Sequence, residues 1–174
     1  PQLRKMYWSG LRQFKLKVGF DGDAAIFDAV SRYLRNPLER GRASLRLDVN
    51  GAWTIDTARS WLNGVDQSLI SAVEQPFAPK DYSGLAQWTE HFEIPVIHDE
   101  SLVTIDDARR LVDVCPRGGF NIRLSKCGGL LPSLKLAALA RRHNQLIQLG
   151  CMVGETSLLA RVGLQFLEVC PHVT

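Results

Sequence analysis

The sequence predicts an α/β fold of the (β/α)8 barrel type, TIM-like, with six of the eight β/α units in evidence. Three observations carry this reading. Short apolar runs alternate six times with longer stretches of helical period, and no hairpin signal intervenes. Each of the first five runs ends on or near a charged residue: Lys17, Asp48, Glu74, Asp99 and Arg123, at spacings of 31, 26, 25 and 24 residues. Barrel enzymes build their sites in this way, from the C-terminal ends of many strands. A doubly wound sheet concentrates function at one switch point, usually with a glycine-rich phosphate loop after its first strand, and the sequence has no such loop.

The elements follow in order. Residues 1–13 read as a helix. The first run is 14–19, followed by a helix with Ile26, Phe27, Val30 and Leu34 on one face. The second run, 45–49, is ended by Asn50-Gly51, and its helix starts near Thr54 and carries Ala58, Trp61, Leu62 and Val65. The third run, 70–74, is stopped by Gln75-Pro76, and a short helix with Leu85 and Trp88 comes next. The fourth run is 94–97. Thr104-Ile105-Asp106-Asp107 then reads as a capping box opening a helix with Ala108, Leu111 and Val112 inward. The fifth run is 120–124, with a helix through Leu134, Ala138 and Ala140 after Gly128-Gly129. The sixth is 146–153, and a last helix spans about 157–167.

Composition narrows the function classes. The 174 residues suit one domain, and 45% hydrophobic with 22% charged residues is ordinary for a globular protein. The 21 basic and 18 acidic residues are scattered, so no basic block argues for nucleic acid or membrane partners. No apolar run is long enough to cross a membrane, and the N-terminus does not read as a signal peptide. Cys115, Cys127, Cys151 and Cys170 form no C-x-x-C pair, which fits reduced, mostly buried thiols in a cytoplasmic protein.

Three acids, Asp48, Glu74 and Asp99, end three consecutive runs. Side by side at the mouth of a barrel they would repel unless a cation neutralised them. Oxygen ligands without Cys or His point to Mg²⁺, with Mn²⁺ possible, rather than to zinc. Any one of these acids alone is more often a helix cap or an ion-pair partner. Lys15 and Lys17 lie two apart on one strand, so both are expected to point inward. Buried together they would lower each other's pKa, which makes a lysine a general base; the alternative is an edge strand with solvated lysines. His98 should face away from its neighbour Asp99 and reads as structural. Asn50, Glu100, Asn121, Lys126 and Glu155 are candidates to support ligands or face substrate.

Lys15-Leu16-Lys17-Val18-Gly19, Asp48-Val49-Asn50, Glu74-Gln75-Pro76, Asp99-Glu100-Ser101 and the stretch from Asn121 to Gly129 occur in that order. Together they resemble the barrel domain of the enolase superfamily, in the subgroup typified by muconate-lactonizing enzyme, which also holds dipeptide epimerases and o-succinylbenzoate synthases. The resemblance implies an isomerase or lyase with Mg²⁺ held by Asp48, Glu74 and Asp99, and a small carboxylate substrate on that metal. It implies Lys17 as the acid/base that removes the α-proton, giving an enediolate stabilised by nearby cations.

One departure matters. Where the family usually has a second catalytic lysine in a pattern like Asn-Ile-Lys, this sequence has Asn121-Ile122-Arg123. Arginine keeps the cation but is a very poor base. Lys126, three residues on, would face the other way on a regular strand unless a bulge restored it. The expectation is therefore one-base chemistry, as in a muconate cycloisomerase or an o-succinylbenzoate synthase-like syn-dehydratase. An epimerase or racemase is the alternative, and a non-catalytic fragment or pseudoenzyme is the alternative of another class. The resemblance also implies an N-terminal capping domain and first and last strands that residues 1–174 do not contain, with an eighth strand beginning near 172–174. Open edges at the first and sixth runs would favour pairing between chains, hence a homo-oligomer, or an altered closure.

Overall fold

A computed structural model of the chain describes residues 2–170, 172 and 173. These fall into two compact units, Pro1–Ala78 and Pro79–Thr174.

The first unit runs α1 (Gln2–Trp8), β1 (Gln13–Lys17), α2 (Asp23–Glu39), β2 (Ser44–Asp48), α3 (Ile55–Asn63), a 3-10 turn (Gln67–Leu69) and β3 (Ala72–Glu74). Its strands are parallel in the order β1-β2-β3. The second unit runs α4 (Tyr82–His91), β4 (Val96–His98), α5 (Ile105–Val114), β5 (Gly118–Arg123), α6 (Leu130–Arg142), β6 (Leu146–Gly150) and α7 (Ser157–Val169). Its strands are parallel in the order β4-β5-β6. Parallel neighbours need a crossover, and the helices between the strands supply it.

Local signals set the boundaries. In α5 the Thr104 side chain accepts from Asp107 N, and the Asp107 side chain accepts from Thr104 N, so the capping box forms as expected. Thr54 and Thr57 make the same reciprocal cap at α3. The segment joining β1 to α2 turns at Gly19, with φ +98, where a Cβ would stand 2.8 Å from that of Ala52. Asp23, only 5% exposed, closes this turn: its carboxylate accepts from Gly19 N at 2.5 Å, Phe20 N at 3.3 Å and Trp61 Nε1 at 2.7 Å. The last bond ties the residues just beyond β1 to α3.

Fully buried Phe27, Leu34, Leu45, Leu47 and Leu62 form the first unit's core. Trp88, Leu111, Phe120, Ile122 and Phe166 do so in the second. Truncating one such side chain to alanine costs about 2–5 kcal/mol, so these positions set stability.

Several sequence expectations shift. The opening helix ends at Trp8, and Gln13 already belongs to β1; residue 1 lies outside the described residues. On α2 the buried stripe is Asp23, Phe27, Ser31 and Leu34. Ile26 and Val30 turn instead toward α1, lining an apolar groove with Leu3, Met6 and Tyr33. The sixth run is strand only to Gly150; Val153 is fully exposed and lies in a turn. Val173 makes a parallel bridge to Ile147 where the sequence places the start of another strand. Cys115, Cys127 and Cys170 are buried and Cys151 is exposed, all as free thiols, and burial pushes the first three upward in pKa. Among the described residues no helix is long and apolar enough to cross a membrane.

Candidate active site

In the first unit, strand register builds a charged row. Lys17 pairs with Asp48, and Asp48 with Glu74, so the last residues of β1, β2 and β3 stand side by side. Two residues earlier, Lys15 pairs with Arg46. The period of two puts all five side chains on one face. Lys15 Nζ lies 2.9 Å from Asp48 Oδ2 and 3.5 Å from Glu74 Oε2. Lys17 Nζ lies 3.2 Å from Asp48 Oδ2 and also donates to Asn50 Oδ1. Arg46 Nε lies 3.1 Å from Glu74 Oε2.

The acids are deeply set and the lysines are not. Asp48 and Glu74 side chains are 2% and 0% exposed, against 37% for Lys15 and 65% for Lys17. This corrects the expectation of a buried lysine pair. Phe14 and Val18 fill the core, and the alternate positions carry the lysines to the open side, where each ammonium reaches down to an acid. Burial opposes ionisation of Asp48, but the hydrogen bonds and charges of Lys15, then Lys17, outweigh it and hold its pKa below the ordinary aspartate value. Asp48 Oδ1 is buried with no hydrogen-bond partner among the described residues. Asn50 has left-handed backbone, φ +50, which presents its amide to Lys17 beyond the strand end.

In the second unit, Asp99 follows β4 and is 1% exposed. Its two oxygens are divided between cations: Oδ2 takes Arg123 Nη2, and Oδ1 takes Lys126 Nζ at 2.7 Å. Lys126 Nζ also donates to the carbonyls of Asp99 at 2.5 Å and Asn121 at 3.2 Å. Lys126 was expected to face away, and the structure corrects this. The strand stops at Arg123, and the chain closes into a turn in which Cys127 N donates to Arg123 O at 2.8 Å and Gly129 N to Leu124 O at 2.7 Å. The turn swings Lys126 over the end of β4.

Asn121 is buried on β5. A Cβ on Gly150 of β6, which pairs with Arg123, would collide with Asn121 Oδ1 and stand 3.1 Å from Arg123 Cγ, so glycine there makes room for both side chains. Glu155 Oε1 accepts from Ser125 Oγ and Met152 N, both at 2.8 Å, and Arg123 Nη1 reaches Met152 Sδ at 3.0 Å. These contacts fasten the turn after β6 to the turn after β5. Glu100 is exposed. His98 is buried behind Asp99, 6.4 Å from the Phe120 ring, in keeping with a structural role.

Among the described residues, no three His, Cys, Asp or Glu side chains form a group that could hold a metal ion. Each carboxylate is closed on by ammonium or guanidinium groups, which compensate the same negative charge a divalent cation would. The donor set nevertheless suits Mg²⁺: buried carboxylates, and on Asp48 an oxygen left without a proton donor. Arg46 went unremarked in the sequence, although its place two residues before Asp48 marks the same strand face.

Residues 2–173 match the family described as enolase C-terminal domain-like. The chain belongs to that family. It is 34% identical over 158 residues to the L-Ala-D/L-Glu epimerase of Clostridium acetobutylicum, covering 89% of this chain and 43% of the relative. It is 30% identical over 128 residues to the chloromuconate cycloisomerase of Pseudomonas sp. (strain P51), covering 74% and 34%. Its fold matches the crystal structure of N-succinyl Arg/Lys racemase from Bacillus cereus with a TM-score of 0.87 and 27% identity, over 99% of this chain and 46% of that one. The chain thus spans less than half the length of these members of the enolase C-terminal domain-like family.

Proposed function

We propose that the whole protein removes the proton α to a small substrate's carboxylate, passing through an enediolate, with Lys17 as the base. The observation that carries this is the register of Lys17, Asp48 and Glu74 in one row at the ends of three parallel strands. It places an accessible amine, 65% exposed, at the strand ends, within reach of a substrate held there. The reading takes the six β/α units as strands two to seven of a (β/α)8 barrel. Asp48, Glu74 and Asp99 would hold Mg²⁺ or Mn²⁺; support comes from family membership and from the burial of each carboxylate within its own unit. When bound, the metal supplies Lewis-acid stabilisation of the substrate carboxylate's developing charge. Lys15 and Arg46 hold the acids in place, and Lys15 favours the ionised form of Asp48.

Arg123 supplies a fixed positive charge and no base. Lys126 has three oxygen acceptors around its ammonium and serves to tether Asp99. Together they favour one-base chemistry, cycloisomerisation or syn-dehydration. Epimerisation or racemisation is the second reading. It is favoured by the names of the epimerase relatives and by the turn that brings a lysine to Asp99.

The test is incubation of the full-length protein with Mg²⁺ in D₂O, using an L-Ala–L-Glu dipeptide and, separately, a muconate. Deuterium at the α-carbon with retained configuration supports the one-base reading. Inverted configuration supports the epimerase. Full exchange by Lys17→Ala would show that another group is the base, and no exchange with any carboxylic acid would leave the pseudoenzyme.

A further inference from the structure

Behind the Asp99 face, three stretches of the second unit meet at a residue with no side chain. Gly118 opens β5 and pairs with Val96 of β4. A Cβ at Gly118 would stand 2.5 Å from the Val96 carbonyl oxygen, 3.2 Å from Gln145 Oε1 and 3.5 Å from His98 Nε2. Two side chains on different elements therefore aim polar atoms at one notch. His98 is 1% exposed and Gln145 6%.

The orientation of Gln145 is fixed from its other end. Its Nε2 donates to Pro116 O at 2.7 Å, which turns Oε1 toward Gly118. Neither Gln145 Oε1 nor His98 Nε2 has a hydrogen-bond partner among the described residues. Two unpaired buried polar atoms facing one gap are rare in folded proteins, because each forfeits its hydration. A single molecule that both donates and accepts resolves the pair, and the closeness of the Val96 carbonyl limits its size.

We propose that His98, Gln145 and the Val96 carbonyl form a binding site for one ordered water molecule in the notch left by Gly118. The water donates one hydrogen to Gln145 Oε1 and the other to the free lone pair of the Val96 carbonyl. It accepts from His98 Nε2–H, which fixes that tautomer of the ring. This gives three hydrogen bonds, the usual number for a buried structural water. The site ties the end of β4 to the start of β5 and to the segment entering β6. Because His98 directly precedes Asp99, holding the ring from behind sets the rotation of the strand end that presents Asp99.

A high-resolution crystal structure of the protein tests this directly. The expected result is one isolated density peak at about 3 Å from both His98 Nε2 and Gln145 Oε1. A direct His98–Gln145 hydrogen bond, or an empty notch, overturns the proposal. In solution, water-oxygen relaxation dispersion counts long-lived internal waters. Gln145→Leu should lose one relative to the unaltered protein, and an unchanged count overturns the site. If Gln145→Leu does not fold, the crystallographic result on the unaltered protein decides alone.

Discussion

Acidification should destabilise the fold through His98. The ring is fully buried, and burial alone pushes its pKa down from 6.5 to about 4. In the unfolded chain the imidazole takes a proton near its ordinary value, whereas in the folded chain it stays neutral until about pH 4. The folded-state pKa is depressed, so the stabilisation is complete above 6.5 and is lost as the pH falls toward 4. At about 1.4 kcal/mol per unit the gap amounts to about 3 kcal/mol, a large share of a typical domain's stability. The assay is urea unfolding at a series of pH values between about 7 and 4.5, comparing the unaltered protein with His98→Phe. The unaltered protein should lose about 2–3 kcal/mol more than the variant over that window. Parallel losses would refute the argument, as would an imidazole NMR resonance of His98 that titrates near 6.5.

Two further outcomes follow from the packing. Asp23→Ala leaves Gly19 N, Phe20 N and Trp61 Nε1 without their acceptor. It should cost about 3 kcal/mol and lower the melting temperature by about 6–12 °C, with Asp23→Asn recovering part; a loss below about 1 kcal/mol would show that water replaces the carboxylate. Gly150→Ala drives a methyl group into Asn121 Oδ1 and against Arg123 Cγ, and should cost about 2 kcal/mol in urea unfolding. A neutral result would mean that the end of β6 gives way freely.

What the sequence made legible was whatever depends on period and order. The strand-end charges appear at strand ends because five apolar runs each stop at a polar residue, and the capping box at Thr104 forms because its two hydrogen bonds are local. Less legible was everything decided by three-dimensional packing. The two lysines of β1 were expected inside because two-residue spacing gives the face but not its depth; the acids took the buried positions. On a continuing strand Lys126 would face the other way, and the turn that begins after Arg123 reverses it. Arg46 is less legible because it stands two places before the strand end, and only its pairing with Lys15 brings it to the charged row. The stripe on α2 was rotated because Ile26 and Val30 are apolar for a second partner, α1.

The ion pairs also have a kinetic side. Among the ion pairs of the described residues, Lys15, Lys17 and Arg46 stand against Asp48 and Glu74, and Arg123 and Lys126 against Asp99, so the cations in these pairs outnumber the acids. With Asp48 and Glu74 buried and the Lys15 and Lys17 side chains 37% and 65% exposed, the positive end of the first unit's ion pairs points outward, whereas Arg123 and Lys126 are themselves largely buried. A small anion drifting past the strand ends is drawn in before it touches anything, and its encounter rate rises accordingly. The pull reaches about 10 Å in dilute salt and shortens as ionic strength grows, so capture slows while the contacts made after arrival are affected far less.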